Sequence, residues 1–339
     1  MKDHKKAEQI RKLVAEVATG RHAELVAEMI ETALRFGRDK TGLGDLKLYN
    51  RAMRELRYAA SIFARYQGHR KVAVFGSART KHEAEEYRLA RDFAARMVAE
   101  GYMIITGGGD GIMGAAQEGA GAKNSFGLNI RLPFEQKANE TIDGDPKLIN
   151  FRYFFTRKLN FVKETHAFAL LPGGFGTHDE GFEVLTLLQT GKSPIVPIVL
   201  LDRPNGHYWE TWRRFLVNDL LEQGLISQAD LNLFFITHDV ETAARHIFAF
   251  YRNFHSYRWV REKMVVRVQR PLTREGLERL NDEFAGILAS GRIEQGPSLP
   301  EEAEDTHLAH MSRITLVPRK DFGSLRLFLD GLNCVETVG

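Results

Sequence analysis

"KVAVFGSA", Lys71 to Ala78, is a short apolar run closed by a glycine, and the next stretch, "EAEEYRLARDFAARMVAEG" (Glu83 to Gly101), changes to helical spacing. Strand, glycine turn and helix in that order form the repeating unit of an α/β layer structure. The unit recurs as "YMIITGGG" (Tyr102 to Gly109) before "GIMGAAQEGAGAK" (Gly111 to Lys123), and as "FGLNIRLP" (Phe126 to Pro133). It returns as "AFALLPGG" (Ala167 to Gly174) before "DEGFEVLTLLQTG" (Asp179 to Gly191), and as "PIVPIVLL" (Pro194 to Leu201) before "YWETWRRFLVNDLLEQG" (Tyr208 to Gly224). Strands buried on both faces read as continuous apolar runs. The pattern therefore predicts a Rossmann-like, doubly wound parallel sheet over residues 44–255.

Outward from this unit the texture changes on both sides. Apolar residues from Ile10 to Leu34 recur at helical spacing with a break near Gly20, which predicts an N-terminal helical extension over residues 1–43. A further helix is expected from Leu48 to Tyr66, ended by Gly68. Beyond Trp259 the order is strand "KMVVRVQ", helix "TREGLERLNDEFAGILA", strands "GRIEQG" and "RITLVPR", and helix "FGSLRLFLDGLN". This order suggests a small α+β accessory domain over residues 256–339, with a ferredoxin-like arrangement and an acidic loop, "SLPEEAEDTH", between its later strands.

Composition narrows the class. Of 339 residues, 43% are hydrophobic and 27% charged, as in ordinary globular proteins. The 47 basic and 44 acidic residues nearly cancel, so no field suited to nucleic acid is expected. One cysteine, Cys334, excludes an internal disulfide framework and a cysteine-rich zinc site. The charged start "MKDHKKAEQI" does not look like a secretory signal, and "IVPIVLL" is far shorter than the roughly 20 residues a membrane helix needs. A cytoplasmic protein without a membrane partner is expected.

Three strand ends carry glycine: Gly76 with Ser77 and Arg79, the run Gly107 to Gly109 with Gly111 and Gly114, and Gly173, Gly174 and Gly176. Ligands of open α/β sheets bind at such carboxyl ends, and three glycine turns there suit a phosphorylated ligand. Gly109 to Gly114 formally matches the dinucleotide fingerprint, with Glu135 at about the expected distance. It sits on the second strand–helix unit, however, and Glu135 follows "RLP" instead of ending a strand, which weighs against NAD. "TGKS" (Thr190 to Ser193) ends a helix where a phosphate loop would begin one.

Two readings fit Thr177-His178-Asp179-Glu180. The four residues have the form of a helix capping box, with the Thr177 hydroxyl and the Glu180 carboxylate satisfying backbone N–H groups. Alternatively Gly174, Gly176 and Thr177 hold a phosphate while Glu180 reaches the attached sugar, whose anomeric carbon becomes positive during bond cleavage. Arg157 and Lys158, in "FRYFFTRK", lead into the strand before this turn. No second histidine at ligand spacing accompanies His178, so no metal site is expected.

Taken together, "VFGSAR", "TGGGDGIMGAAQEGA", "GLNIRLPFEQKAN", "FRYFFTRK" and "PGGFGTHDE" resemble the LONELY GUY family, cytokinin riboside 5'-monophosphate phosphoribohydrolases formerly labelled lysine decarboxylases. The resemblance covers about residues 44–255. It implies a dimeric (or larger homo-oligomeric) Rossmann-like enzyme that hydrolyses the N-glycosidic bond of a nucleoside 5'-monophosphate, without metal or organic cofactor. It further implies Arg157 and Glu180 as catalytic residues and Gly173, Gly174, Gly176 and Thr177 as the phosphate turn. Gly76, Ser77, Gly108, Gly109, Gly114, Glu135, Asn139 and Lys158 are the remaining expected substrate contacts. His178 departs from the family pattern, where many members carry leucine. A non-catalytic nucleotide carrier or sensor on the same fold is the alternative, because fold does not fix function. Lysine decarboxylation fits less well, since no lysine lies in a recognisable Schiff-base motif.

Overall fold

A computed structural model describes residues 2–131 and 137–338. The chain divides after Ala60 into two compact units. The first contains α1 (Lys2–Ala15), α2 (Gly20–Arg38) and most of α3 (Leu43–Phe63). Within it α1 packs on α2. Helix α3 begins earlier than the periodicity predicts, and its expected last turn, Ala64–Tyr66, is a tighter 3₁₀ turn.

The second unit, residues 61–339, starts with β1 (Lys71–Phe75), α4 (Glu85–Ala99), β2 (Met103–Thr106), α5 (Ile112–Ala120) and β3 (Ser125–Ile130). It continues with β4 (Leu148–Phe151), α6 (Phe154–Glu164), β5 (Ala167–Leu170), α7 (Phe175–Gln189), β6 (Ile198–Leu201), α8 (Tyr208–Phe215), β7 (Phe235–Thr237) and α9 (Val240–Phe250). The seven strands lie in the order β4-β3-β2-β1-β5-β6-β7, and every pairing is parallel. The order reverses at β1, between β2 and β5, and such a switch point opens a crevice at the carboxyl ends. Every residue of β1, β2, β5 and β6 is buried. Val72, Val74, Ile104, Ala169 and Val199 pack with Phe93 and Met97 of α4 and Ile247 of α9 into one apolar cluster.

The last part of the same unit comprises β8 (Phe254–Val260), β9 (Lys263–Val268), α10 (Arg274–Glu283), β10 (Leu288–Gly296), β11 (Ser312–Pro318) and α11 (Phe322–Leu332). Its four-stranded sheet has the order β10-β11-β9-β8 with antiparallel pairing throughout. This corrects the expected element order. An extra strand, β8, pairs with β9, giving ββαββα in place of the βαββαβ of a ferredoxin-like domain. The physical reason is that β8 is a half-buried edge strand of mixed polarity, without the apolar run that marks its neighbour. Phe250 and Tyr251 at the end of α9 share a core with Met264, Val266, Ile314 and Phe328, so the two sheets are joined by packed side chains.

The acidic loop is folded onto this second sheet. Glu302 accepts from Arg267 Nη2 at 2.6 Å and from Arg313 Nε at 2.9 Å, with the Glu302 and Arg313 side chains fully buried. Asp305 pairs with Arg258 and Arg267. Burial alone would raise the Glu302 carboxyl, but its bonds to Arg313 and Arg267 outweigh that and hold it below the usual carboxylate range.

Candidate active site

The three glycine turns are tied together by main-chain bonds. Ser77 N donates to Pro172 O at 3.1 Å, and Ile112 N donates to Ser77 O at 3.0 Å. The contacts demand glycine at one place and favour it at another. Gly111 has φ +64°, and a Cβ there would stand 2.3 Å from Ser77 O. At Gly107 a Cβ would lie 2.6 Å from Arg157 Nη2, so a bare backbone is what lets the guanidinium pass.

These turns border a cleft of about 730 Å3. Of the residues expected from sequence, Gly76, Ser77, Arg157, Gly173, Gly174, Gly176, Thr177 and Glu180 line it. Arg79, Met113, Phe154, Phe175, His178 and Asp179 join them. Gly108, Gly109, Gly114 and Asn139, and Lys158, are not among the lining residues. The two N–H groups of the Asn139 amide are shared among Gly108 O, Gly109 O and Gln117 Oε1, and so brace the second glycine turn from within the fold. Gly108 has φ +77°, and its N–H donates to Thr106 Oγ1. Glu135 lies outside the described residues.

Helix α7 starts inside the third turn. Its N-cap is Gly174, with no side-chain cap, which overturns the capping-box reading. Thr177 and Glu180 stand within the helix, so neither side chain is needed to close its first turn. The N–H groups of the first residues have no intrahelical acceptor, and they carry the positive end of the helix dipole. A Cβ at Gly174 or Gly176 would meet nothing within 4 Å, so packing demands neither glycine; both leave the rim of the turn bare.

Glu180 is only 6% exposed. Burial pushes its carboxyl up to about 7, against the opposing pull of Lys158 and Arg157. Arg157 reaches the cleft from α6, with Nε donating to Leu128 O at 2.8 Å and its guanidinium over the Phe161 ring. Lys158 turns to the acidic side of α7: its Nζ lies 2.7 Å from Glu183, 2.9 Å from Asp179 and 3.9 Å from Glu180. Burial lowers the Lys158 pKa, but its bonds to Glu183 and Asp179 outweigh this and raise it. Lys158 thus binds α6 to α7 and leaves Arg157 as the α6 cation bordering the cleft. Among the described residues, no group of three or more His, Cys, Asp or Glu is placed to hold a metal.

The sequence reading missed the support of the third turn. The Tyr208 hydroxyl donates to Gly173 O, and His178 Nε2 lies 2.7 Å from the same hydroxyl. With the phenolic proton committed to the carbonyl, His178 Nε2 carries the hydrogen and donates. The two residues are separated by 30 positions, and no local pattern announces their pairing. Tyr208→Phe removes both bonds. The expected result is a rise in KM for a phosphorylated ligand of about 2- to 10-fold, the worth of one or two hydrogen bonds, with kcat changed less. Steady-state kinetics of the variant check it, and an unchanged KM contradicts this role.

Fold and cleft together define a Rossmann-like α/β protein whose cleft lies at the carboxyl ends of the strands flanking a switch point. A family model described as "Possible lysine decarboxylase" matches residues 113–247. A cytokinin riboside 5'-monophosphate phosphoribohydrolase of Mycobacterium tuberculosis is 32% identical over 176 residues, covering 51% of this chain and 91% of that protein. A probable enzyme of the same description from Oryza sativa subsp. japonica is 29% identical over 170 residues, covering 49% of this chain and 70% of that protein. Among solved structures, the molybdenum cofactor carrier protein of Chlamydomonas reinhardtii aligns at 20% identity with a TM-score of 0.37, over 53% of this chain and 96% of its own. The chain belongs to the LONELY GUY family of cytokinin riboside 5'-monophosphate phosphoribohydrolases.

Proposed function

We propose that this protein hydrolyses the N-glycosidic bond of a nucleoside 5'-monophosphate, of the cytokinin riboside or AMP type, to free base and ribose 5-phosphate. The observation that carries this reading is the buried Glu180 beside Arg157 in the cleft bordered by the bare Gly173–Gly176 turn. The exposed N–H groups and dipole of α7 receive the phosphate. Arg157, pinned through Nε to Leu128 O, orients the nucleotide. The ionised Glu180 carboxylate holds the ribose and stabilises the positive charge that develops at its anomeric carbon, or positions the attacking water. Atoms balance with water alone: its hydroxyl joins the anomeric carbon, and its proton goes to the departing base.

Free base and ribose 5-phosphate, measured after incubation with AMP and related monophosphates, test the assignment. Nucleotide that binds and remains intact would replace it with the carrier or sensor reading. A homodimer is part of the proposal, supported by Phe154 and Phe155, about half exposed at the start of α6. A reducing, cytoplasmic setting is supported by the single cysteine.

The raised Glu180 pKa sets a pH profile. With the carboxylate as the working form, kcat/KM rises with pH through about 7 and levels above it. A kcat/KM that falls across the same interval would show that the protonated form acts.

A further inference from the structure

A second cavity, about 1010 Å3 and larger than the cleft just described, lies away from it. It is bordered by the chain leading into β1, the end of α6, the segment before β6, and β8 with the loop beyond β10. It thus lies toward the amino ends of β1, β5 and β6, opposite the glycine turns.

Its chemistry is one-sided. Arg70, Lys163 and Lys192 are lining cations, His69, His166, His255 and His307 line it too, and no described lining residue is a carboxylate. Glu164 pairs with Lys163, so that Arg70 and Lys192 are the lining cations not matched by it, and Asp305 pairs with Arg258 and Arg267. The His166 Nδ1 accepts from Lys71 N, so its proton sits on Nε2 and that edge of the ring is a donor. Thr165, 7% exposed, also lines the cavity, and its buried hydroxyl has no hydrogen-bond partner. Burial, then the positive charges of Arg70 and Arg267, lower the His255 pKa.

We infer that this cavity binds a small phosphate-bearing polyanion at a site separate from the substrate cleft. Cations at Arg70 and Lys192 and a further N–H donor at His307 arrive from three separate segments, which suits a tetrahedral, multiply charged group better than the planar, two-point recognition of one carboxylate. Phe254 and Tyr257 add an apolar wall for the body of such a ligand.

Inorganic pyrophosphate is the probe, titrated calorimetrically into the full-length protein and into a Lys192→Glu/His307→Glu double variant. Both positions are exposed and outside the substrate cleft. The expected result is a binding event whose affinity falls at least about tenfold in the variant and weakens steeply with salt, while base release from AMP is unchanged. If the double variant fails to fold by circular dichroism, Lys192→Ala is used, with an expected loss of about threefold. No binding of pyrophosphate, or binding indifferent to these substitutions, overturns the inference. Failure to release base from AMP would count against the proposed function and leave this result untouched.

Discussion

Glu180→Gln lowers turnover by about 10²–10³-fold and, above pH 7, makes the protein harder to melt. The first effect follows from the loss of a preorganised negative charge where positive charge develops, a contribution of that size in enzymes whose charge-stabilising groups are deleted. The second follows from the sign of the pKa shift. Glu180 is raised from about 4.5 to about 7, so the folded protein favours the protonated form. That preference is fully present below pH 4.5, fades as pH climbs toward 7, and leaves an ionised, poorly solvated carboxylate above it. A neutral glutamine of the same shape avoids that cost. The variant should therefore match the parent in thermal stability near pH 4.5 and exceed it at pH 8, read from melts at both values together with kcat. A variant that retains activity, or is less stable than the parent at pH 8, refutes the role given to this carboxylate.

Glu302→Ala has the largest expected effect on stability. The substitution takes the shared carboxylate from two buried arginines, leaving Arg267 with Asp305 and Arg313 with backbone carbonyls alone, and breaking a buried pair in this way costs roughly 3–5 kcal/mol. In a unit of this size the corresponding fall in Tm is on the order of 10 °C. Glu302→Gln costs less, because the amide oxygen still accepts from one arginine. The depressed Glu302 pKa gives the pH sign: its stabilisation is present above the unfolded carboxylate value and is lost as pH falls through the lower folded one. Denaturant midpoints of the two variants against the parent check the order. Equal midpoints for all three would show that the arginines find other partners.

The sequence was most legible where burial is complete. Runs such as "VAVF" and "IVLL" are strands hidden on both faces, and they stand where the apolar pattern predicts them. The two outer strands, β4 and β7, were not legible: they are 4 and 3 residues long, and at a sheet edge a strand needs no continuous apolar run. The start of α7 was misplaced for a related reason. "GGFGT" reads as a turn, yet the helix begins at Phe175 because the residues of its first turn need only backbone bonds. At the cleft, the sequence pointed to the glycine turns and to Arg157 and Glu180, which are local motifs. It was silent on Tyr208 with His178, and on Glu302 with its two arginines, because partners 30, 35 and 11 positions apart leave no periodic trace.

The lacing of Pro172, Ser77 and Ile112 is made wholly of peptide atoms, so it holds whatever side chains those positions bear. Phe175, 96% exposed on the rim, is likewise free of packing duty. The molecule thus separates what fixes the floor of the cleft from what decorates its mouth. Mutational drift at the mouth can change which base is accepted without touching the fold, and a library confined to Phe175 and the Ser77 side chain, leaving His178 on the Tyr208 hydroxyl, would sample new specificities on an unaltered frame.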